Sequence, residues 1–246
     1  YRDGILIKTT PSPSYTDTGL SPFTLYSYTV AAYDYSNNVS EQSTALPVTT
    51  AGPSPALMQQ SYATPQSPQK RVRVTYADDQ AAGNTNLIAI GWNDTTAQIK
   101  SVVDSAGNVY RRAIAAYRGN GMSQAIYYAA NIKAALAGDN QVTVTFNRAA
   151  VYVDLRITEY SGLSQTKPFD VGVSATGNGS LADSGALTTA ASSELLFAAG
   201  MTGSTFTAPG SGFTAQVITS PDGDLWQPLW RLARLNSGQL LVVSCQ

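Results

Sequence analysis

The sequence has no histidine, and Cys245, the penultimate of its 246 residues, is its single cysteine. The first absence excludes Ser-His-Asp and Cys-His catalysis, imidazole-bound zinc and the usual general base at neutral pH. The second excludes an internal disulfide and a thiolate metal cluster. Charge is also scarce. Charged residues make up 13% of the chain and the formal net charge is -1, which argues against a nucleic-acid partner or an anionic membrane surface, since both need clustered Lys and Arg. The densest basic spots, Arg71 with Arg73 and Arg111 with Arg112, read as solvated strand faces. No run of about twenty apolar residues occurs, so no membrane-spanning helix is expected. No charged-then-apolar leader opens the chain, and Tyr1 falls inside the pattern "YRDG", so a secretion signal is expected further upstream. What survives is carboxylate chemistry, Ser-Lys or Tyr chemistry, and oxygen-ligated calcium.

What is present is period-two patterning. Leu20, Pro22, Thr24, Tyr26, Tyr28, Val30, Ala32 and Asp34 share one parity, the spacing that puts one face of a strand on a core. "SPF" is a turn into that strand, "YDYSNNVS" a polar turn out of it, and "STALPVTT" a second strand. Residues 51–56, "AGPSPA", form a Pro and Gly linker. Beyond it, "NLIAIGW", "IKSVVD", "QAIYYAANI", "QVTVTF", "VYVDLRITEY", "ELLFAAG" and "QLLVVS" are short β-rich runs separated by turns such as "DSAGN", "AGDN" and "PGSG". One helical turn is expected around "NIKAALAG". Together these predict an all-β chain: residues 1–50 as one module, 51–56 as a linker, and 57–246 as an antiparallel, jelly-roll-like β-sandwich.

Two resemblances sharpen this. "YRDG", "YTDTGLSPFTLYSYTVAAYD" and "NNVSEQST" resemble the second half of a bacterial fibronectin type III module of the kind attached to secreted polysaccharide-degrading enzymes. The Leu20-x-Pro22-x-Thr24-x-Tyr26 run matches the place where such modules carry a tyrosine that locks the corner between strands. The first strands and their buried tryptophan have no counterpart, so residues 1–50 are expected to be a truncated remnant that packs poorly alone or docks on the following domain or on another copy of the chain. "VVDSAGNVY", "AIYYAANI", "VTVTF" and "ITEYSGL" resemble a β-sandwich module that follows fibronectin repeats in large secreted proteins of soil bacteria. That resemblance implies an extracellular setting and transfers no site.

Candidate chemistry concentrates in "VYVDLRITEY". Val151, Val153, Leu155 and Ile157 form its apolar parity and place Glu159 inward, where a carboxylate must find donors or shift its pKa. Glu159 is thus the candidate catalytic group if the protein is an enzyme. The favoured reading ends or bulges the strand at Ile157, so that Glu159 bonds backbone in the "EYSG" turn. On the other parity, Tyr152, Asp154, Arg156 and Tyr160 would make an outward polar and aromatic platform, on which a sugar ring can stack its C–H face. Trp92 and at least one of Tyr127 and Tyr128 read as core. "DSAGN" offers Asp104 and Asn108 as calcium ligands, with "YADDQ" and "PDGD" as further oxygen-rich turns; none has EF-hand spacing, and no other cofactor is expected. The tail "LWQPLWRLARLN" differs in texture from what precedes it. It is either out-of-frame sequence or an amphipathic segment packing on the sandwich. The expected function is non-catalytic recognition of a polysaccharide or cell-surface glycan. A carboxylate hydrolase acting on a glycan or ester, and a structural spacer or adhesion segment, are the alternatives.

Overall fold

The structure is a computed structural model. It describes residues 1–119, 121–178, 183–186, 188 and 194–202, and the backbone of the strands at 214–218, 229–234 and 239–245. The chain separates into two compact units, Tyr1–Pro53 and Ser54–Gln246. All regular structure among the described residues is β, and the segment around "NIKAALAG" forms turns and a lone bridge, Gln80 to Ala135, in place of a helical turn.

The first unit holds two strands, β1 (Leu25–Tyr28) and β2 (Leu46–Thr49), paired antiparallel. The Ser21 amide donates to the Tyr26 hydroxyl at 3.0 Å, so the tyrosine ties the turn that enters its own strand. Arg2 and Tyr28 both meet Asp17, at 3.1 and 2.7 Å, and the Tyr28 hydroxyl, then the Arg2 charge, hold that carboxyl below its usual range. None of residues 1–53 is buried. Ile5, Leu6, Leu25, Val30, Val39 and Leu46 are all exposed, while Tyr26 and Tyr28, on the alternating parity, are half-buried beside Arg2 and Asp17.

The second unit is built from three sheets. The central one has the order β3 (Ala56–Ala63), β10 (Asp154–Ser161), β5 (Thr85–Trp92), β8 (Met122–Ala129), β7 (Arg111–Gly119). One face is covered by the sheet β4 (Gln69–Thr75), β9 (Gln141–Ala150), β6 (Ile99–Asp104). Val72, Val74, Val142, Val144 and Phe146 pack there on Ile88, Ile90, Trp92, Leu155 and Ile157. The other face meets the sheet β11 (Phe169–Ala175), β15 (Gln239–Cys245), β12 (Glu194–Gly200), β14 (Leu229–Arg234), β13 (Thr214–Ile218). Leu195, Phe197 and Ala199 of β12 pack on Leu87, Ala89, Ile126 and Tyr160. A strand covered on both sides needs apolar residues on both parities, and β5, "TNLIAIGW", is buried at every position. Gly91 belongs to that requirement, because a Cβ there would run into the Met201 side chain.

The all-β, sandwich-like class expected from the sequence is what the chain adopts, built in three layers, with β15 running parallel to both β11 and β12 within an otherwise antiparallel arrangement. Of the tail, Leu229–Arg234 is strand β14, while residues 225–228 and 235–236 lie outside the described residues, as does "PDGD".

Candidate functional site

Strand β10 carries both groups of candidate residues on opposite faces, and neither face is open. Toward the three-stranded sheet, Val153, Leu155 and Ile157 continue the apolar core, and at Glu159 that core gives way to a polar cluster. The strand does not end at Ile157: it runs to Ser161, with an irregularity between Glu159 and Tyr160 in its pairing to β3. Glu159 is 1% exposed. Its Oε2 accepts from Gln59 Nε2 at 2.7 Å and Gln80 Nε2 at 3.3 Å. Its Oε1 accepts from Asn84 Nδ2 at 2.6 Å and the Ala81 amide at 3.3 Å. The donors are therefore side-chain amides from β3 and the loop before β5, together with one loop amide, rather than the "EYSG" backbone.

Gln80 joins this carboxylate to a closed ring of hydrogen bonds. Its Nε2 donates to Asn86 Oδ1, Asn86 Nδ2 donates to the Tyr110 hydroxyl, and Tyr110 donates to Asp104 Oδ2 at 2.9 Å. Asn140 Nδ2 closes the ring by donating to both Asp104 Oδ2 and Gln80 Oε1. Burial, then the Asp104 charge, pushes the Tyr110 hydroxyl well above its usual pKa, so it stays a donor. Burial raises Tyr76 likewise, and its hydroxyl lies 3.3 Å from the Thr158 carbonyl. Such a network can fix the register of four strands, β3, β10, β5 and β6.

The "DSAGN" turn belongs to the same cluster. Asp104 Oδ2 accepts from Asn108 Nδ2, Tyr110 and Asn140, Oδ1 accepts from the Asn108 amide, and Asn108 Oδ1 accepts from the Lys133 amide. These oxygens face N–H and O–H groups, an arrangement that does not fit calcium, which needs six to eight oxygen donors. Among the described residues no group of three or more His, Cys, Asp or Glu could hold a metal ion, and no helix is long and apolar enough to cross a membrane.

On the other face, Asp154, Arg156 and Tyr160 are buried, so the outward platform does not form. The third layer covers it. Tyr160 packs edge-on against Phe197 with ring centroids 6.5 Å apart, and burial raises its hydroxyl pKa. Arg156 Nη2 lies 3.3 Å from Asp154 Oδ1. Burial, opposed by the Asp154 charge, lowers the guanidinium to about 10. Tyr152 stands apart in the turn before β10, partly exposed, with a positive φ of 44°. Trp92 is core, and Tyr127 and Tyr128 pack on opposite faces of β8, the latter stacked on Phe169.

Tyr62 is the exposed aromatic that the platform reading missed. It lies on β3, an edge strand, paired in register with Arg156. The guanidinium carbon sits 5.4 Å from the ring centroid, and the ring is 52% exposed. A buried cation under one side of an aromatic ring fixes its tilt and leaves the outer side flat and accessible. Met58 and Gln60, on the same parity, are exposed beside it. The signal was the alternation Gln60, Tyr62 against Gln59, Ser61, which the register shift at Met58 interrupts.

Two curated proteins share segments with this chain. An alpha-amylase of Niallia circulans is 49% identical over 67 residues, which are 26% of this chain and 5% of the amylase. Exoglucanase B of Cellulomonas fimi is 35% identical over 120 residues, which are 48% of this chain and 9% of the exoglucanase. The chain thus matches a small part of two glycan-active bacterial enzymes. No family model and no solved structure matches it.

Proposed function

We propose that the second unit is a non-catalytic glycan-recognition module of a larger extracellular bacterial protein, and that Tyr62 is its stacking surface. The observation that carries this is the Tyr62 ring, held from beneath by Arg156 and open above. The C–H face of a pyranose ring stacks on such a surface, while neighbouring polar groups, here Gln60 and the edge of β3, which pairs with no second strand among the described residues, meet its hydroxyls. The shared segments support the reading from a second direction. The matched segments make up only 5% of the alpha-amylase and 9% of the exoglucanase, which fits an accessory role better than a shared catalytic centre. The inward carboxylates Glu159 and Asp104 are also occupied by donors on every side described above.

The test is depletion of the full chain from solution by insoluble α- and β-glucans. Tyr62→Ala is expected to weaken binding at least about tenfold, since loss of one stacked ring removes roughly 1–3 kcal/mol in comparable aromatic stacking. Equal depletion of wild type and variant would remove Tyr62 from the account.

Residues 1–50 are read as the second half of a fibronectin type III module, supported by the Ser21 to Tyr26 bond and by the exposed apolar side chains Leu25, Val30, Leu46 and Val48. Self-association through this unit follows. Sedimentation velocity should show a concentration-dependent dimer that is lost when residues 1–53 are removed; a monomer throughout the micromolar range would contradict it.

A further inference from the structure

The outer face of β4, β9 and β6 points away from the central sheet, and nothing described in the second unit covers it. Its strands carry Lys70, Arg71, Arg73, Lys100 and Arg148, all exposed, while their single acidic residue, Asp104, is turned inward and bonded. The whole chain has a formal net charge of -1, so this concentration of positive charge is local. Arg71 and Arg73 alternate with buried Val72 and Val74 and therefore stand side by side on the outer face, about 7 Å apart from the strand repeat.

The irregularities of the sheet gather the rest at one end. The β4–β9 register shifts between Gln69 and Arg71, and the β6–β9 register shifts between Ile99 and Ser101, both opposite the stretch from Thr145 to Ala150. Those shifts leave Lys70 and Lys100 out of register, together with Asn147, Arg148 and Ala149 of β9, and all five are exposed. A bulge turns side chains away from the regular pleat, so Lys70, Lys100 and Arg148 add three exposed cations at the end of the sheet where Arg71 lies. Asp94, the carboxylate near this end, already accepts hydrogen bonds from Thr96, Ala97 and Val151. Between the cations the surface presents hydroxyls: Ser101 and Thr145 lie in register with Arg71, and Thr143 with Arg73.

We propose that this face binds an acidic polysaccharide, a linear glycan bearing carboxylate groups. Extended and cationic, with hydroxyls and the exposed Val103 among the charges, it complements a chain of sugars carrying repeated anions, and guanidinium groups pair with carboxylates through two parallel hydrogen bonds. The face is separate from Tyr62, and the inference does not rest on that ring.

The experiment uses the full chain on immobilised polyuronate, on the fully methyl-esterified form of the same polymer, and on duplex DNA. Retention on the polyuronate should fall steeply between low and physiological salt and be absent on the ester. Arg71→Gln with Arg73→Gln should reduce affinity at least about tenfold while leaving the unfolding midpoint unchanged, because both side chains are exposed. Tyr62→Ala should leave polyuronate binding intact, which separates this face from the glycan site. Equal retention on polyuronate and ester, an unaffected double variant, or tighter binding to DNA than to polyuronate would each overturn the proposal.

Discussion

Glu159→Ala is expected to destabilise the second unit by about 3–5 kcal/mol, a large part of the total stability of an ordinary domain. The loss has little to do with the volume removed. Gln59, Gln80, Asn84 and the Ala81 amide all point N–H groups at the two oxygens of this residue. Removing the acceptor leaves those donors facing each other, away from solvent, and each unsatisfied buried donor costs about 1–3 kcal/mol before relaxation. Relaxation is restricted. Gln59 cannot turn its amide over, because its Oε1 accepts from the Asp78 amide while its Nε2 also reaches the Asp78 carbonyl. Gln80 is fixed in the same way between Asn86 and Asn140. The Asn84 side chain makes no second hydrogen bond among the described residues, so Glu159→Gln can place its own amide toward Asn84 if that side chain flips, leaving only the more distant Ala81 amide facing it. The conservative variant should therefore lose only about 1–2 kcal/mol. Urea unfolding of the three proteins measures the difference; an alanine variant within about 0.5 kcal/mol of wild type would mean that the cluster is not a structural element.

Trp92→Ala is the second large effect, about 3–5 kcal/mol. Trp92 is fully buried at the end of β5, and its ring packs at 67° to that of Phe146 with centroids 5.3 Å apart. It joins the central sheet to the three-stranded one, so its truncation opens a cavity between layers that two β-sheets cannot easily close by moving together. The indole N–H meets no acceptor among the described residues. Trp92→Phe therefore loses volume and also removes an orphaned donor, and the net change should be near 1–2 kcal/mol. If the phenylalanine variant were as unstable as the alanine one, the N–H would have to be bonded after all.

These two residues also show how far the sequence could be read. Trp92 was legible as core from its parity with Ile88 and Ile90, because an alternation of two is a direct consequence of strand geometry; the same alternation placed Glu159 inward, but the favoured reading ended or bulged the strand at Ile157, whereas it runs on to Ser161. Tyr127 and Tyr128 had to face opposite sides for the same reason, and they do. The platform on Tyr152, Asp154, Arg156 and Tyr160 failed at another level. Polar residues on one parity ordinarily mark a solvated face, but here β12 lays Leu195, Phe197 and Ala199 over part of it, and Arg156 is buried under Tyr62. Nothing in a strand's own sequence says that a third layer will arrive from about forty residues further along. The donors to Glu159 were equally hidden, since Gln59 lies 100 positions away and Gln80 lies 79. Tyr62 was visible as an alternating aromatic; what made it a candidate is the guanidinium behind it, supplied by a different strand.

The central claim is that the chain holds a glycan on Tyr62 without cleaving it. Titration calorimetry of the full chain with a soluble oligosaccharide of whichever insoluble glucan retains it tests both halves at once, because binding gives heat that saturates and turnover gives heat that persists. Saturating heat is predicted for wild type and Glu159→Gln, with binding lost in Tyr62→Ala. A sustained heat rate in wild type that vanishes in Glu159→Gln would contradict the account and make the buried carboxylate a catalytic residue.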